Sequence, residues 1–189
     1  DARVVRRAAE IATYARDSGK AADMARLWVE VEPDSARARQ YLGTTLIGID
    51  RLAEAKPHLE ALLRMSERPV GASFMQLHGL LGRYKDKMAV LAMVKELAGA
   101  YPAVPEAQLA VAQSALGAGQ QAQALAALDE ALRLKPDWET AALVKGQALS
   151  GAGDEAVLAY WKSFTEQNPR TDRVRLSYAK ALAKVGRYD

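Results

Sequence analysis

Residues 103–136 read AVPEAQLAVAQSALGAGQQAQALAALDEALRLKP. Apolar residues recur at helical spacing in two runs, parted near Gly119 and closed by Pro136. Pro105 suits the first turn of a helix, where its missing amide hydrogen is not needed. Pro136 lacks a donor and clashes with the turn before it, so the second helix stops there. Alanine is frequent in both runs, Ala112, Ala124 and Ala131 among them, and close approach of two helices needs small side chains at the crossing. Large apolar residues such as Leu128 and Leu134 fill the volume around them.

The same unit recurs outward in both directions. Prolines at 33, 69, 102, 136 and 169 are spaced by 36, 33, 34 and 33 residues. Asp34-Ser35-Ala36 offers helix N-cap residues, followed by Tyr41-Leu42-Gly43, Leu46, a turn near Asp50-Arg51, then Ala55, Leu59 and Leu62. After Pro136 come Gly146, Leu149, Gly153, Ala156 and Tyr160; after Pro169 come Tyr178-Ala179, Leu182, Gly186 and Tyr188. The pattern predicts eleven helices, over 2–17, 20–32, 35–49, 51–65, 71–84, 86–100, 104–118, 121–134, 138–151, 154–167 and 171–186.

This pattern resembles the tetratricopeptide repeat, a 34-residue unit with small residues at positions 8, 20 and 27, a turn glycine at 15 and proline at 32. Ala112, Gly119, Ala124, Ala131 and Pro136 match it best. The resemblance covers essentially the whole chain. It implies an all-α fold, a right-handed α-α superhelix of antiparallel helices in five and a half repeats. These run over 2–34, 35–68, 69–102, 103–136 and 137–169, with a half repeat at 170–189, in one solenoid domain. The chain opens on Asp1 and ends inside a repeat, so it reads as a fragment of a longer protein, with a leader or anchor upstream left open. Some positions depart from the pattern. Trp28 and Leu62 stand at small positions, His78 lies near one, and Val90 replaces alanine. Lys145 replaces a large apolar residue, the turn 83–87 lacks glycine, and Pro57 lies inside a predicted helix, where a mild kink is expected.

Composition narrows the chemistry. The chain has 189 residues, 50% of them hydrophobic, a net charge of +3 and no cysteine. Disulfides, thiolate metal sites and a thiol nucleophile are excluded. Basic residues are interleaved with acidic ones, as in Glu54-Ala55-Lys56, the pattern of a solvated surface and not of a nucleic-acid footprint. No apolar run reaches the ~18 residues of a membrane span, so this stretch does not itself insert in a bilayer. His58 is read as solvated and His78 as lying near a helix crossing. Neither has a second ligand at metal-binding spacing. Gly117-Ala118-Gly119 and Gly151-Ala152-Gly153 are turns between paired helices, without the lysine of a phosphate loop. No acid–base constellation emerges, so the expectation is a protein that is not an enzyme and needs no cofactor or metal.

The family resemblance implies a concave face lined by first helices, which binds a protein or peptide. Mapped here, its positions are Arg37, Gln40, Thr44, Met75, Gln76, Arg83, Gln113, Leu143, Gln147, Arg173 and Lys180, with Arg6 and Glu10 extending it. Glutamine amides both donate to and accept from a peptide backbone, and arginine grips carboxylates. The expected partner is an extended or acidic segment. The carboxylate clamp of tetratricopeptide co-chaperones needs two asparagines; this chain has only Asn168. The words Ala25-Arg26-Leu27-Trp28-Val29-Glu30 and Pro33-Asp34-Ser35-Ala36-Arg37-Ala38-Arg39 are similar to many-repeat proteobacterial proteins, some of them envelope lipoproteins. Bacterial cytoplasm and periplasm both remain open, the periplasm favoured. A scaffold or adaptor is the leading expectation, and a recruiting domain of a larger enzyme the alternative. Leu176, Tyr178 and Leu182 lack a partner helix in this reading, which predicts self-association through the last helix.

Overall fold

The structure, a computed structural model, describes every residue except 67, 68, 83, 188 and 189. The described residues form α1 (Ala2–Tyr14), α2 (Ser18–Val31), α3 (Ala36–Gly48), α4 (Leu52–Met65), α5 (Val70–Leu81), α6 (Lys87–Gly99), α7 (Pro105–Gly117), α8 (Gln121–Leu134), α9 (Glu139–Leu149), α10 (Asp154–Gln167) and α11 (Asp172–Lys184), with a 3-10 turn at Ser150–Ala152 and no strand. The eleven expected helices are these, two of them with the expected ends. The others shift by one to three residues where caps and turns intervene. Ser35 caps α3, its hydroxyl accepting from the Ala38 amide at 3.2 Å. Asp17 caps α2 in the same way, accepting from Lys20 at 3.0 Å. The helix α4 runs through Pro57.

Four of the turns share one geometry. Arg16, Asp50, Gly119 and Gly186 all adopt positive φ, between 60° and 73°. The amide after each reaches back to a carbonyl of the last helical turn: Asp17 to Ala12, Arg51 to Leu46, Gln120 to Ala115 and Arg187 to Leu182. This is the closing bond of a Schellman motif, and it satisfies carbonyls that the helix end leaves open. Glycine adopts that conformation without penalty; an L side chain costs about 1–2 kcal/mol there. Arg16 is exposed, so Arg16→Gly removes strain and little else. It should raise stability by about 1 kcal/mol, after the entropy gained by the unfolded chain is deducted. Urea unfolding measures this, and an unchanged midpoint would show that Arg16 relaxes its turn at no cost.

The chain divides into two compact units, Asp1–Met93 and Val94–Asp189. In the first, α1 packs on α2, α2 on α3, α3 on α4 and α4 on α5. Ala9, Gly43 and the facing Ala21 and Ala55 are buried, as the small-residue pattern predicts. Trp28 is 2% exposed, so an indole fills a place kept for a small side chain. It lies 5.9 Å from the Tyr41 ring, and its Nε1 donates to Glu32 at 2.7 Å. The Tyr41 hydroxyl donates to the Ala9 carbonyl at 3.0 Å and bonds the Thr13 hydroxyl, joining α3 to α1.

In the second unit α7 packs on α8, α8 on α9, α9 on α10 and α10 on α11, while α9 also touches α7 and α11. Ala112, Ala124 and Ala131 are 0% exposed. Around Ala142, Phe164 and Val174 gather Leu132, Leu143, Tyr160 and Trp161. Lys145 pairs with Asp129 and lies 4.8 Å over the Tyr160 ring. A cation of this kind on an aromatic face replaces the apolar contact that the repeat normally makes.

Candidate functional site

Three of the expected positions, Gln40, Thr44 and Gln76, line one hollow. A hollow of about 690 Å³ in the first unit is lined by Gln40 and Thr44 of α3, by Leu59, Leu62, Leu63 and Met65 of α4 with Ser66 after it, and by Ser73, Gln76, Leu77 and Leu80 of α5. First helices α3 and α5 supply the glutamines, and α4 supplies leucines. Leu62 stands where the repeat pattern prefers a small residue, and it is part of the hollow's lining.

The polar groups differ in what they leave free. The Thr44 hydroxyl donates to the Gln40 carbonyl at 2.7 Å. Ser66 and Ser73 bond each other at 2.8 Å. The side-chain amides of Gln40 and Gln76 make no hydrogen bond among the described residues. Both residues are exposed. Each brings a donor and an acceptor to the rim of an apolar floor.

The remaining positions fall elsewhere. Arg37 is exposed and 3.9 Å from Glu10, which Arg6 also approaches at 3.5 Å. Met75 is half-buried outside the hollow's lining, and Arg83 lies outside the described residues. In the second unit Gln113 is half-buried, its Oε1 shielded from solvent without a protein partner. Leu143 packs against the Ala142–Phe164–Val174 cluster, so its side chain serves the core. Gln147 is exposed beside a small hollow with Gln121, whose amide donates to the Ala148 carbonyl at 2.7 Å. Arg173 lies 4.0 Å from Glu139, and Lys180 is exposed. Sequence reasoning passed over Ser66, Ser73, Leu77 and Leu80; only the departure at Leu62 could have pointed to them.

Neither histidine lines the hollow. His58, expected to be solvated, is half-buried, with its Nδ1 shielded and without a protein partner. Burial, then Arg39 and Arg26, hold its pKa below the usual imidazole value. An ideal Cβ at Gly43 would stand 3.8 Å from the His58 Cβ, so α3 and α4 approach closely beside this residue. His78 is half-buried too, its pKa lowered by burial and then by Lys87. Among the described residues no group of acidic and histidine side chains could hold a metal ion. No helix among them is long and apolar enough to cross a membrane.

No family model matches the sequence, and no curated protein matches it. Solved structures do match. MamA is similar at 17% identity, over 97% of this chain and 94% of that one, with a TM-score of 0.51. YrrB, described as a TPR protein with an unusual peptide-binding site, is similar at 16% identity, over 89% of this chain and 87% of that one, with a TM-score of 0.52. TTC0263, a thermophilic TPR protein of Thermus thermophilus, is similar at 18% identity, over 97% of this chain and all of that one, with a TM-score of 0.50. At such identities the likeness concerns the fold.

Proposed function

We propose, from the premise that this chain has the tetratricopeptide-repeat fold, that it is a non-catalytic protein-interaction module that holds an extended peptide segment in the hollow between α3 and α5. The observation that carries the reading is the pair of uncommitted amides, Gln40 and Gln76, set over leucines in a hollow of about 690 Å³. A peptide strand presents one donor and one acceptor per residue, which the two glutamines can meet. Its side chains alternate in direction, so one of them can enter the leucine floor. The described lining has no ionisable side chain. That favours recognition through backbone and apolar contacts over a grip on carboxylates. YrrB, a protein of similar fold, is described as having a peptide-binding site, which is in keeping with this use of the scaffold.

The test is affinity capture from extracts of the source organism by the wild type and by a Gln40→Ala/Gln76→Ala variant. The segment contacting the retained partner is then made as a synthetic peptide and titrated. Two lost hydrogen bonds, each of about 0.5–1.5 kcal/mol net, weaken binding by about tenfold or more. Equal affinity of both proteins for that peptide would falsify the assignment of this hollow.

A further inference from the structure

The hollow has no charged lining, but two guanidiniums stand beside it without a hydrogen-bond partner. Arg37, Gln40 and Thr44 follow one another at intervals of three and four residues along α3, so they share a face of that helix. Gln40 and Thr44 line the hollow, and so does Ala36, the residue before Arg37. The Arg37 side chain is 69% exposed and lies 3.9 Å from Glu10 of α1. Arg6, Glu10 and Thr13 share the face of α1 turned to α3, where Thr13 bonds Tyr41. Three arginines thus surround one carboxylate. Arg7 hydrogen-bonds Glu10 at 3.3 Å. Arg6 approaches it at 3.5 Å and Arg37 at 3.9 Å, neither with a hydrogen bond. The Arg6 Nε is unpartnered. Among the described residues no second acid pairs with any of the three.

The cluster therefore keeps a surplus of positive charge at the edge of an uncharged hollow. A guanidinium holds a carboxylate through two parallel N–H donors, and neither Arg6 nor Arg37 uses that fork on Glu10. We infer that the segment held in the hollow carries an aspartate or glutamate beside its apolar anchor, and that Arg37 and Arg6 take this carboxylate. The inference rests on the hollow as the peptide site. The cluster and the hollow flank α3 on opposite sides, so they are roughly one helix diameter, ~10 Å, apart. An extended chain rises ~3.3 Å per residue, and alternate side chains point the same way. The acid therefore lies two or four residues from the anchor, on one side of it only. Recognition is divided: α3, α4 and α5 read an apolar side chain and the backbone, and the gap between α1 and α3 reads a charge.

Synthetic peptides with capped ends test this. Each carries one leucine, methionine or phenylalanine in a serine–alanine background. Glutamate stands two, four or six residues to either side of that anchor, and glutamine replaces it in matched controls. Binding is titrated by the NMR shifts of the protein's glutamine side-chain amides. The wild type should prefer glutamate to glutamine about fivefold, the effect of one exposed ion pair, at two or four residues and on one side only. High salt should remove the preference. Arg6→Gln/Arg37→Gln should erase it and leave affinity for the glutamine peptide unchanged. Arg37→Glu should favour lysine at the same place, which an arginine with a merely structural role would not do. Gln40→Ala/Gln76→Ala should weaken glutamate and glutamine peptides alike. Binding in the hollow with no preference for glutamate, or with one that survives Arg6→Gln/Arg37→Gln, overturns the inference and leaves the hollow standing. Binding indifferent to Gln40→Ala/Gln76→Ala, or no binding of any of these peptides, overturns both.

Discussion

Replacing Trp28 by alanine should destabilise the first unit by about 3–5 kcal/mol, although it restores the small residue that the repeat pattern prefers at that position. The indole is 2% exposed and lies tilted against the Tyr41 ring at 5.9 Å. Alanine would leave a cavity that the flanking helices can only partly collapse. Glu32 would also lose the donor that it holds at 2.7 Å. Trp28→Phe separates the two causes: it keeps most of the volume and removes the hydrogen bond, worth about 1 kcal/mol. Urea unfolding of both variants measures the difference. An alanine variant as stable as the wild type would mean that α2 and α3 close up as an ordinary repeat pair does, and that the tryptophan is dispensable.

Gly146 and Gly43 occupy the same repeat position and should respond in opposite ways to alanine. An ideal Cβ at Gly146 would stand 2.6 Å from Cζ2 of Trp161 and closer still to Nε1 and Cε2. The indole must move, and Trp161 belongs to the apolar cluster around Phe164 and Val174. Gly146→Ala should therefore cost about 1–3 kcal/mol, the usual effect of overpacking. At Gly43 the added carbon would lie 3.5 Å from Cδ2 of Leu59, an ordinary contact. Gly43→Ala should be neutral or stabilise by up to about 1 kcal/mol, because alanine loses less backbone freedom in a helix. Thermal unfolding of the pair reads the contrast. Pairing Gly146→Ala with Trp161→Leu should recover part of the loss; no recovery would place the strain somewhere other than the indole.

Both pairs of variants turn on residues that look alike, or look wrong, in the one-dimensional pattern. Repeat position 27 holds alanine at 131 and tryptophan at 28, and both are buried. Repeat position 8 holds glycine at 43 and 146, yet one faces a flexible leucine and the other an indole. Position within a repeat tells which residues lie at a crossing. What stands across from them depends on residues far along the chain.

By itself the sequence determined the period, the all-α architecture, the eleven helices and the turns between them. These rest on local properties: helical spacing of apolar residues, prolines that stop a helix, capping side chains, and the chain reversal that follows them. Helix ends moved by up to three residues because a left-handed residue such as Arg16 completes a Schellman bond that no composition signal announces. Tertiary structure alone decided the rest. It placed Gln40, Thr44 and Gln76 around one hollow with leucines from α4, set Leu143 in a core cluster, and left His58 half-buried. Each of these depends on how closely neighbouring helices approach. That distance is set by pairs of side chains on different helices, as where Gly43 faces Leu59 and Gly146 faces Trp161, whose volumes act only once the helices have packed.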